Sequence, residues 1–122
     1  MLATVREGQA PRIHPVNVGI IGGRLYTFVI GRSPKRMDLE TDGRYALHTH
    51  VDPAAPDEFS VRGRALPIEA DAVRSSVAAE WPFSVDQEYR LFELSLDSVL
   101  LGRRAADDWP PRYSRWSASA PG

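Results

Sequence analysis

The sequence predicts a mainly β domain, an antiparallel barrel of six or seven strands with two short helices. Short runs rich in β-branched and aromatic residues follow one another, with turn-forming residues between them. Most links between these runs are too short to be the crossovers that a parallel sheet requires. At 122 residues the chain has room for one domain. We place this domain at residues 1–116 and expect residues 117–122 to form a flexible tail.

The strand prediction depends on composition and on the residues that interrupt each run. Gly22-Gly23 is typical of a tight hairpin turn. Pro15 and Gly63 lie inside two runs and indicate an edge, a bend or a bulge. The predicted strands are Leu2–Arg6, Pro11–Ile21, Arg24–Ile30, Arg44–Val51, Glu58–Ile68, Tyr89–Leu96 and Val99–Arg103, with a last short run at Tyr113–Trp116.

The first helix is predicted from Pro34 to about Thr41. Ser33 is a good N-cap, and proline is favoured at the first helical position. We expect Gly43 to end this helix in the left-handed conformation, and Met37 and Leu39 to be buried.

The second helix is predicted at Ala70–Trp81. Val73, Val77 and Trp81 are spaced four residues apart and form one apolar stripe, and Pro82 ends the helix.

Composition excludes several classes of site. The chain has no cysteine, which rules out disulfides, thiolate metal sites and thiol nucleophiles. A net charge of -1 gives no sign of a nucleic-acid partner. No apolar run approaches the roughly 20 residues that cross a bilayer, and the first residues lack a signal peptide. We therefore expect a cytoplasmic protein without a membrane partner.

The start of the first helix is a candidate phosphate site. Free amide groups at a helix N-terminus attract anions, and Arg32, Lys35 and Arg36 surround this one. Cations at the positive end of a helix are locally unfavourable, and a bound phosphate would neutralise them. The alternative is a solvated basic turn whose charges are balanced by Asp38 and Glu40 on the same helix.

The run from Arg12 to Asn17 is a second candidate. Arg12 and His14 are two residues apart on a strand and so share a face. If that face is turned toward the first helix, Arg12 adds a bidentate grip on the phosphate. The Asn17 amide and the backbone of Pro15–Val16 could then follow a planar heterocycle. The alternative is a half-exposed edge strand.

Two further clusters have weaker signals. His48 and His50 share a strand face and could hold a metal with His14 as third ligand, or they could line a pocket or a subunit contact. The aromatic and arginine residues of Trp109–Trp116 could stack on a flat ligand, pack across an interface, or cover an open barrel end.

Taken together, these motifs resemble the pyridoxamine 5′-phosphate oxidase-like family of FMN-binding split barrels. The resemblance covers about residues 2–104 and rests on the order and spacing of several short motifs. These motifs are Leu2-Ala3-Thr4-Val5, Pro11-Arg12-Ile13-His14-Pro15-Val16, Leu25-Tyr26-Thr27-Phe28-Val29, Ser33-Pro34-Lys35-Arg36 with Leu39, Arg44-Tyr45-Ala46-Leu47, and Phe59-Ser60-Val61-Arg62-Gly63-Arg64-Ala65.

The resemblance implies a homodimer with one FMN per subunit at the interface. Arg12 and Lys35 would meet the FMN phosphate, and His48 and the Glu58–Phe59 strand would line the remaining wall. The stretch His14–Asn17 would run along the isoalloxazine, with Phe28–Val29 beneath it. The implied cofactor-binding residues are Arg12, His14, Pro15, Val16, Asn17, Phe28, Val29, Ser33, Lys35 and Arg36.

The implied activity is an FMN-dependent oxidoreductase acting on a small molecule. Vitamin B6 oxidases of this family usually end in an R-x-H-x-R pattern, whereas Arg112–Trp116 contains no histidine, so we do not expect that substrate. The catalytic residue is not identified; His14 and His48 are the proton donors to test. Alternatives on the same fold are binding of the deazaflavin F420 or of haem, and a non-catalytic flavin-binding, stress-related module.

Overall fold

The computed structural model describes residues 1–6, 8–48, 58–103 and 112–118. Within them the chain forms nine β-strands and two α-helices, and every strand pairing is antiparallel. The strands are β1 (Leu2–Arg6), β2 (Gln9–His14), β3 (Val18–Ile21), β4 (Arg24–Ile30), β5 (Arg44–His48), β6 (Glu58–Ile68), β7 (Tyr89–Leu94), β8 (Ser98–Arg103) and β9 (Arg112–Ser117); the helices are α1 (Pro34–Thr41) and α2 (Asp71–Ala79).

The mainly β, antiparallel prediction with two helices is confirmed, but the count of six or seven strands is too low. Residues 15–17 are not in a strand, so the run predicted as Pro11–Ile21 is two strands. Proline cannot donate to a sheet ladder, which is why the break falls at Pro15. The C-terminal run is also a full strand, β9, which pairs with β8 through Ser117. Residues 119–122 of the predicted tail lie outside the described residues.

The longest strand, β6, organises the sheet. The strand order is β2-β1-β5-β6-β7-β4-β3. On one edge β6 pairs with β5. On its other edge Glu58–Arg62 pair with β8, and Ala65–Ile68 pair with β7, with the register shifted by one residue between the two segments. The strands β7 and β8 are therefore one partner of β6, interrupted at residues 95–97.

The sheet curves into a barrel because its two end strands are consecutive in the chain. In a flat sheet β2 and β3, at opposite ends of a seven-strand order, would lie six strand spacings or about 29 Å apart. His14 ends β2 and Val18 begins β3. The four Cα–Cα steps between them span at most about 15 Å. The sheet must therefore curl until these edges approach each other.

Two apolar clusters hold this fold together, one on each face of β4. Alternate residues of a strand point to opposite faces, so Leu25 and Val29 join the barrel interior while Tyr26 and Phe28 pack under α2. The barrel cluster is Leu2, Leu25, Val29, Leu39, Tyr45, Leu47, Val61, Ala65, Phe92 and Leu94; the second is Tyr26, Phe28, Val77, Trp81 and Leu91.

Helix α1 begins and ends where the sequence predicts, but two details were wrong. Gly43 does not adopt the left-handed conformation; among the described residues only Gly8, Gly22 and Gly23 have positive φ. A Cβ at Gly43 would lie 2.8 Å from the Ala65 carbonyl oxygen, so close approach to β6 explains the glycine. Met37 is exposed, and Asp38 is buried beside Leu39 in its place.

Helix α2 is shorter than predicted and buries less of its stripe. It covers Asp71–Ala79 rather than 70–81. Val77 and Trp81 are buried under it, but Val73 is exposed. No helix in the described part of the chain is long and apolar enough to cross a membrane.

Candidate functional site

A buried carboxylate on α1 organises a polar cluster between the helix and the β1–β2 hairpin. The Asp38 Oδ2 atom accepts hydrogen bonds from Thr4 Oγ1 at 2.7 Å and from Arg12 Nε at 3.0 Å. Thr4 and Asp38 are both buried, whereas the Arg12 side chain is about one third exposed (32%). The pair is therefore shielded on the carboxylate side and open to solvent on the guanidinium side.

The register of the hairpin brings these groups together. Thr4 lies opposite Arg12, and Leu2 opposite His14. Residues opposite each other, and residues two apart on a strand, share a face. Leu2 belongs to the barrel cluster, so this is the inner face, the one that α1 covers. The face that carries Arg12 and His14 is therefore turned toward the first helix, which is the condition under which Arg12 could join a phosphate site.

His14 lies in a positively charged environment. Its Nε2 is 3.5 Å from Thr4 Oγ1. Burial and the nearby charges of Lys35 and Arg12 lower the pKa of His14 below its ordinary value, and only Asp38 acts in the opposite direction. The imidazole is thus held in its neutral form near pH 7.

Lys35 joins the start of α1 to the link between β2 and β3. Its Nζ donates to the Pro15 carbonyl oxygen at 3.4 Å, and its backbone N–H donates to the Ser33 Oγ at 3.3 Å. The Ser33 N-cap is confirmed by this second contact. Burial lowers the pKa of Lys35. An ammonium that has lost part of its hydration gains more from an anionic partner than an exposed one.

The other two cations at the helix start already have partners. Arg36 donates through Nε to the Gly31 carbonyl oxygen and forms a salt bridge with Glu40 at 2.9 Å. Arg32 lies 3.4 Å from Glu88, and both side chains are exposed. Arg36 is thus balanced by Glu40, as in the solvated-turn alternative, whereas the partner of Arg32 lies outside the helix.

The charges in the cluster do not balance. Arg12 and Lys35 are cationic, and His14 is held toward its neutral form. In the part of the chain that the structure describes, Asp38 is the one carboxylate that forms a salt bridge with Arg12, and none forms one with Lys35. Asp38 engages Arg12 through Nε, and the terminal Nη atoms have no hydrogen-bond partner among the described residues. A guanidinium anchored in this way can present its outer nitrogens to an oxyanion. The residues present therefore fit a phosphate group.

The link Pro15–Asn17 has a fixed backbone. The Pro15 carbonyl contacts Lys35, and the Asn17 carbonyl accepts a 2.8 Å hydrogen bond from the buried Thr27 hydroxyl. Val16 packs against the barrel cluster, and the Asn17 residue is exposed. A flat group lying along this link would meet a rigid edge.

The two remaining predicted residues, Phe28 and Val29, are packed in the two apolar cores. Val29 is buried in the barrel interior. Phe28 is on the opposite face of β4, where its ring makes edge contacts with Trp81 and Tyr89. The structure thus gathers Arg12, His14, Pro15, Ser33 and Lys35 and leaves the Phe28 side chain on the far side of the strand.

Sequence reasoning did not single out Thr4, Thr27 or the role of Asp38. Thr4 and Thr27 are buried polar residues of β1 and β4. Thr4 donates a hydrogen bond to Asp38 of α1, and Thr27 donates one to the Asn17 carbonyl oxygen. Asp38 follows Pro34 by four residues and so shares its helix face. That spacing was available in the sequence, but it does not show which strand the face meets.

The histidine metal site gains no support. His48 Nε2 lies 3.3 Å from a Glu58 carboxylate oxygen, which places it at the start of the predicted Glu58–Phe59 wall. His50 lies outside the described residues, as do Trp109 and the residues up to 111. In the described ranges no group of three or more potential ligands could hold a metal ion.

Several solved structures share this architecture. PhzG from Burkholderia lata 383, in complex with tetrahydrophenazine-1-carboxylic acid, matches 98% of this chain and 76% of its own with a TM-score of 0.75 and 14% identity. A candidate pyridoxamine 5′-phosphate oxidase from Listeria innocua matches 80% of this chain and 82% of its own, with a TM-score of 0.65 and 16% identity. A heme binding protein from Mycobacterium smegmatis matches 95% of this chain and 51% of its own, with a TM-score of 0.70 and 19% identity.

The chain has the split-barrel fold of the pyridoxamine 5′-phosphate oxidase-like proteins. This confirms the fold that the sequence motifs implied. The split barrel here spans about half the length of the Mycobacterium protein. No protein-family model and no curated protein matches the sequence. At these identities, 14–19%, the likeness establishes the fold alone.

Proposed function

We propose that this chain binds FMN, with the phosphate held by Arg12 and Lys35, and acts as an FMN-dependent oxidoreductase on a small molecule. One observation carries the proposal: two cations from different elements converge on a partly buried cluster that contains a single carboxylate. A bound phosphate would supply the missing negative charge. The fold shared with the candidate pyridoxamine 5′-phosphate oxidase from Listeria, together with the FMN that the family resemblance implies, supports a flavin cofactor.

The chain's own residues would bind and orient the cofactor. The free nitrogens of Arg12 and the ammonium of Lys35 would hold the phosphate, with the α1 N-terminus and Ser33 beside it. The link from His14 to Asn17 would follow the isoalloxazine. Bound FMN would supply the electron-transfer chemistry, which no side chain here provides. Phe28 and Val29 are already packed in the two cores, so the proposal does not depend on them.

The test is FMN binding by wild-type protein and by Arg12→Ala and Lys35→Ala. Each variant removes a charge-assisted contact worth about 1.5–3 kcal/mol, so we expect FMN affinity to fall by about tenfold or more. Arg24→Ala is the matched control, since its ion pair with Glu93 lies at the opposite end of β4 from α1 and is exposed. Protein that stays colourless after incubation with FMN, or equal affinity in all four proteins, would reject the proposal.

Haem is the second candidate, because a heme binding protein shares the fold. It would require an axial ligand, for which His14 is half-buried in the cluster and His48 is on β5. The visible spectrum of protein reconstituted with both cofactors separates the two: flavin bands support the first proposal, and a Soret band that is lost in His14→Ala or His48→Ala supports the second.

A further inference from the structure

Lys35 is the only lysine in the sequence, and it lies in the polar cluster with Arg12 rather than on the open surface. Its side chain is partly buried, and its Nζ donates to the Pro15 carbonyl oxygen at 3.4 Å. Burial lowers the pKa of Lys35, so more of its amine is unprotonated at neutral pH than in an exposed lysine. An unprotonated amine is a nucleophile.

The neighbours of Lys35 supply a partner for an anion and a base. The terminal nitrogens of Arg12 have no hydrogen-bond partner among the described residues and can hold a phosphate group. His14 is close enough to both cations for their charges to lower its pKa, and its neutral imidazole can accept a proton. A phosphate held by Arg12 would therefore lie beside a nucleophile and a base.

A small molecule that carries both a phosphate and an activated carbonyl group would use all three side chains. An acyl phosphate is the simplest member of this class, because its phosphate is both the group that Arg12 would hold and the leaving group. Binding would bring the acyl carbon to the Lys35 amine, and such positioning replaces a bimolecular encounter with an intramolecular one. An acyl donor without a phosphate would gain nothing from Arg12.

We propose that Lys35 is an acylation site for acyl phosphates, and that its acylation regulates the phosphate site; this rests on the anion site of the proposed function. The Lys35 nitrogen, after one ammonium proton is lost to solvent, attacks the acyl carbon. The bond from that carbon to the phosphate oxygen breaks, and inorganic phosphate leaves with the electron pair. A second proton passes from the nitrogen to His14, which leaves a neutral amide.

Acylation would remove one of the two cations that hold the cofactor phosphate. Because the amide carries no charge, protein acylated at Lys35 should bind FMN more weakly than untreated protein by about tenfold or more. Lys35→Arg is the control: a guanidinium stays protonated and is not acylated, so treatment should leave its FMN affinity at the value before treatment.

Mass spectrometry of the cofactor-free protein after treatment with acetyl phosphate tests the acylation site. The exposed α-amino group of Met1, which donates to the His48 carbonyl oxygen at 2.7 Å, is the internal reference. The comparison donor is p-nitrophenyl acetate, which transfers the same acetyl group without a phosphate. We expect the ratio of acetylation at Lys35 to that at Met1 to be higher with acetyl phosphate by about tenfold or more, because Arg12 adds a charge-assisted contact.

Two changes should remove this preference for acetyl phosphate. Inorganic phosphate added to the wild type should compete for Arg12 and lower the ratio for acetyl phosphate only. Arg12→Ala should make the two donors equal, whereas Arg24→Ala, which alters an exposed ion pair with Glu93, should keep the preference. The competition uses the wild type alone, so the test does not depend on the folding of Arg12→Ala.

Equal ratios for the two donors in the wild type would overturn the inference, as would a preference that inorganic phosphate does not reduce. FMN binding, measured separately, keeps the two proposals distinguishable. FMN binding without a preference for acetyl phosphate would overturn the acylation site alone. A preference for acetyl phosphate in a protein that does not bind FMN would support the acylation site and reject the cofactor.

Discussion

At the scale of single residues, Asp38 links the helix to the barrel. It is buried, and it accepts hydrogen bonds from a buried hydroxyl and a guanidinium on different strands. The sequence showed an acidic residue on a short helix, for which exposure is the usual outcome. The pairing with Arg12 depends on how the hairpin lies against α1, which composition and spacing do not specify. Residue-level prediction therefore found the cations and named Asp38 as a possible balancing charge, but missed its burial and its pairing with Arg12.

Removing this carboxylate should destabilise the fold. We expect Asp38→Ala to lower the free energy of unfolding by about 1–3 kcal/mol, since it leaves the buried Thr4 hydroxyl without its acceptor. Urea denaturation measures the change. Glu40→Ala is the control on the same helix; the side chains of its salt bridge with Arg36 are 31% and 39% exposed, whereas Asp38 is buried, so this pair should contribute less. Equal losses in the two variants would contradict the role given to Asp38.

His14 should respond to both pH and ligand. Its folded-state pKa is lowered, so the unfolded chain binds more protons between the folded pKa and about 6.5, and stability should fall as pH drops through that range. Phosphate or FMN bound near Lys35 and Arg12 would offset their charges and raise the pKa of His14. NMR titration of the imidazole, with and without FMN, measures both effects. A pKa at or above 6.5 in the free protein, or one insensitive to FMN, would contradict the proposed cluster.

At the scale of elements, the sequence located helices and turns well because their signals are local. Ser33 and Pro34 fix the start of α1, and Gly22-Gly23 fix the β3–β4 turn, where both glycines have positive φ. Signals that depend on a second element were misread. Gly43 was taken for a helix cap, but its backbone is close to β6. Pro15 was recognised as a disruption, but the sequence did not show that it separates two strands at opposite ends of the sheet.

Gly63 provides the test at this scale. A Cβ at this position would overlap the Ser95 carbonyl oxygen, which belongs to the backbone between β7 and β8. That same oxygen accepts the Tyr45 hydroxyl hydrogen bond. We expect Gly63→Ala to lower the free energy of unfolding by about 3 kcal/mol, because the backbone must move. Thermal unfolding followed by circular dichroism measures the loss.

Gly102→Ala is the control for Gly63. There the nearest atoms, at 3.0 and 3.1 Å, belong to the side chains of Tyr113 and Glu58, which can move aside. We expect Gly102→Ala to lower the free energy of unfolding by about 1 kcal/mol or less. If Gly63→Ala lowers the free energy of unfolding no more than Gly102→Ala does, β6 does not lie as close to residues 95–97 as the structure shows.

At the scale of the whole molecule, apolar side chains remain exposed on both edge strands of the curled sheet. Ile20 on β3 is 76% exposed and Ile13 on β2 is 64% exposed. Clustered exposed apolar residues are typical of interaction surfaces, and the homodimer implied by the family resemblance would cover some of them. The antiparallel barrel could be predicted because most links between strands are too short for the crossovers of a parallel sheet. The surface that a second copy would cover could not be predicted, because it is formed by residues that are distant in the chain.

We expect the chain to sediment as a dimer at micromolar concentration, and Ile20→Lys to shift it toward monomer. A lysine at this position removes the favourable burial of the isoleucine side chain, and its charge would have to be desolvated in the contact. Analytical ultracentrifugation measures both proteins. The control, Leu66→Lys, changes an apolar residue that is 48% exposed and lies on β6 rather than at a sheet edge. A wild type that is monomeric at all concentrations would contradict the dimer.

The central claim is that Arg12 and Lys35 recognise a phosphate, and comparison of FMN with riboflavin tests it most directly. The two ligands share the isoalloxazine and differ in the phosphate. We expect wild-type protein to bind FMN at least tenfold more tightly than riboflavin, and this preference to disappear in the Arg12→Ala, Lys35→Ala double variant while riboflavin affinity is unchanged. Equal affinity of the wild type for the two ligands, or a preference for FMN that survives in the double variant, would contradict the account.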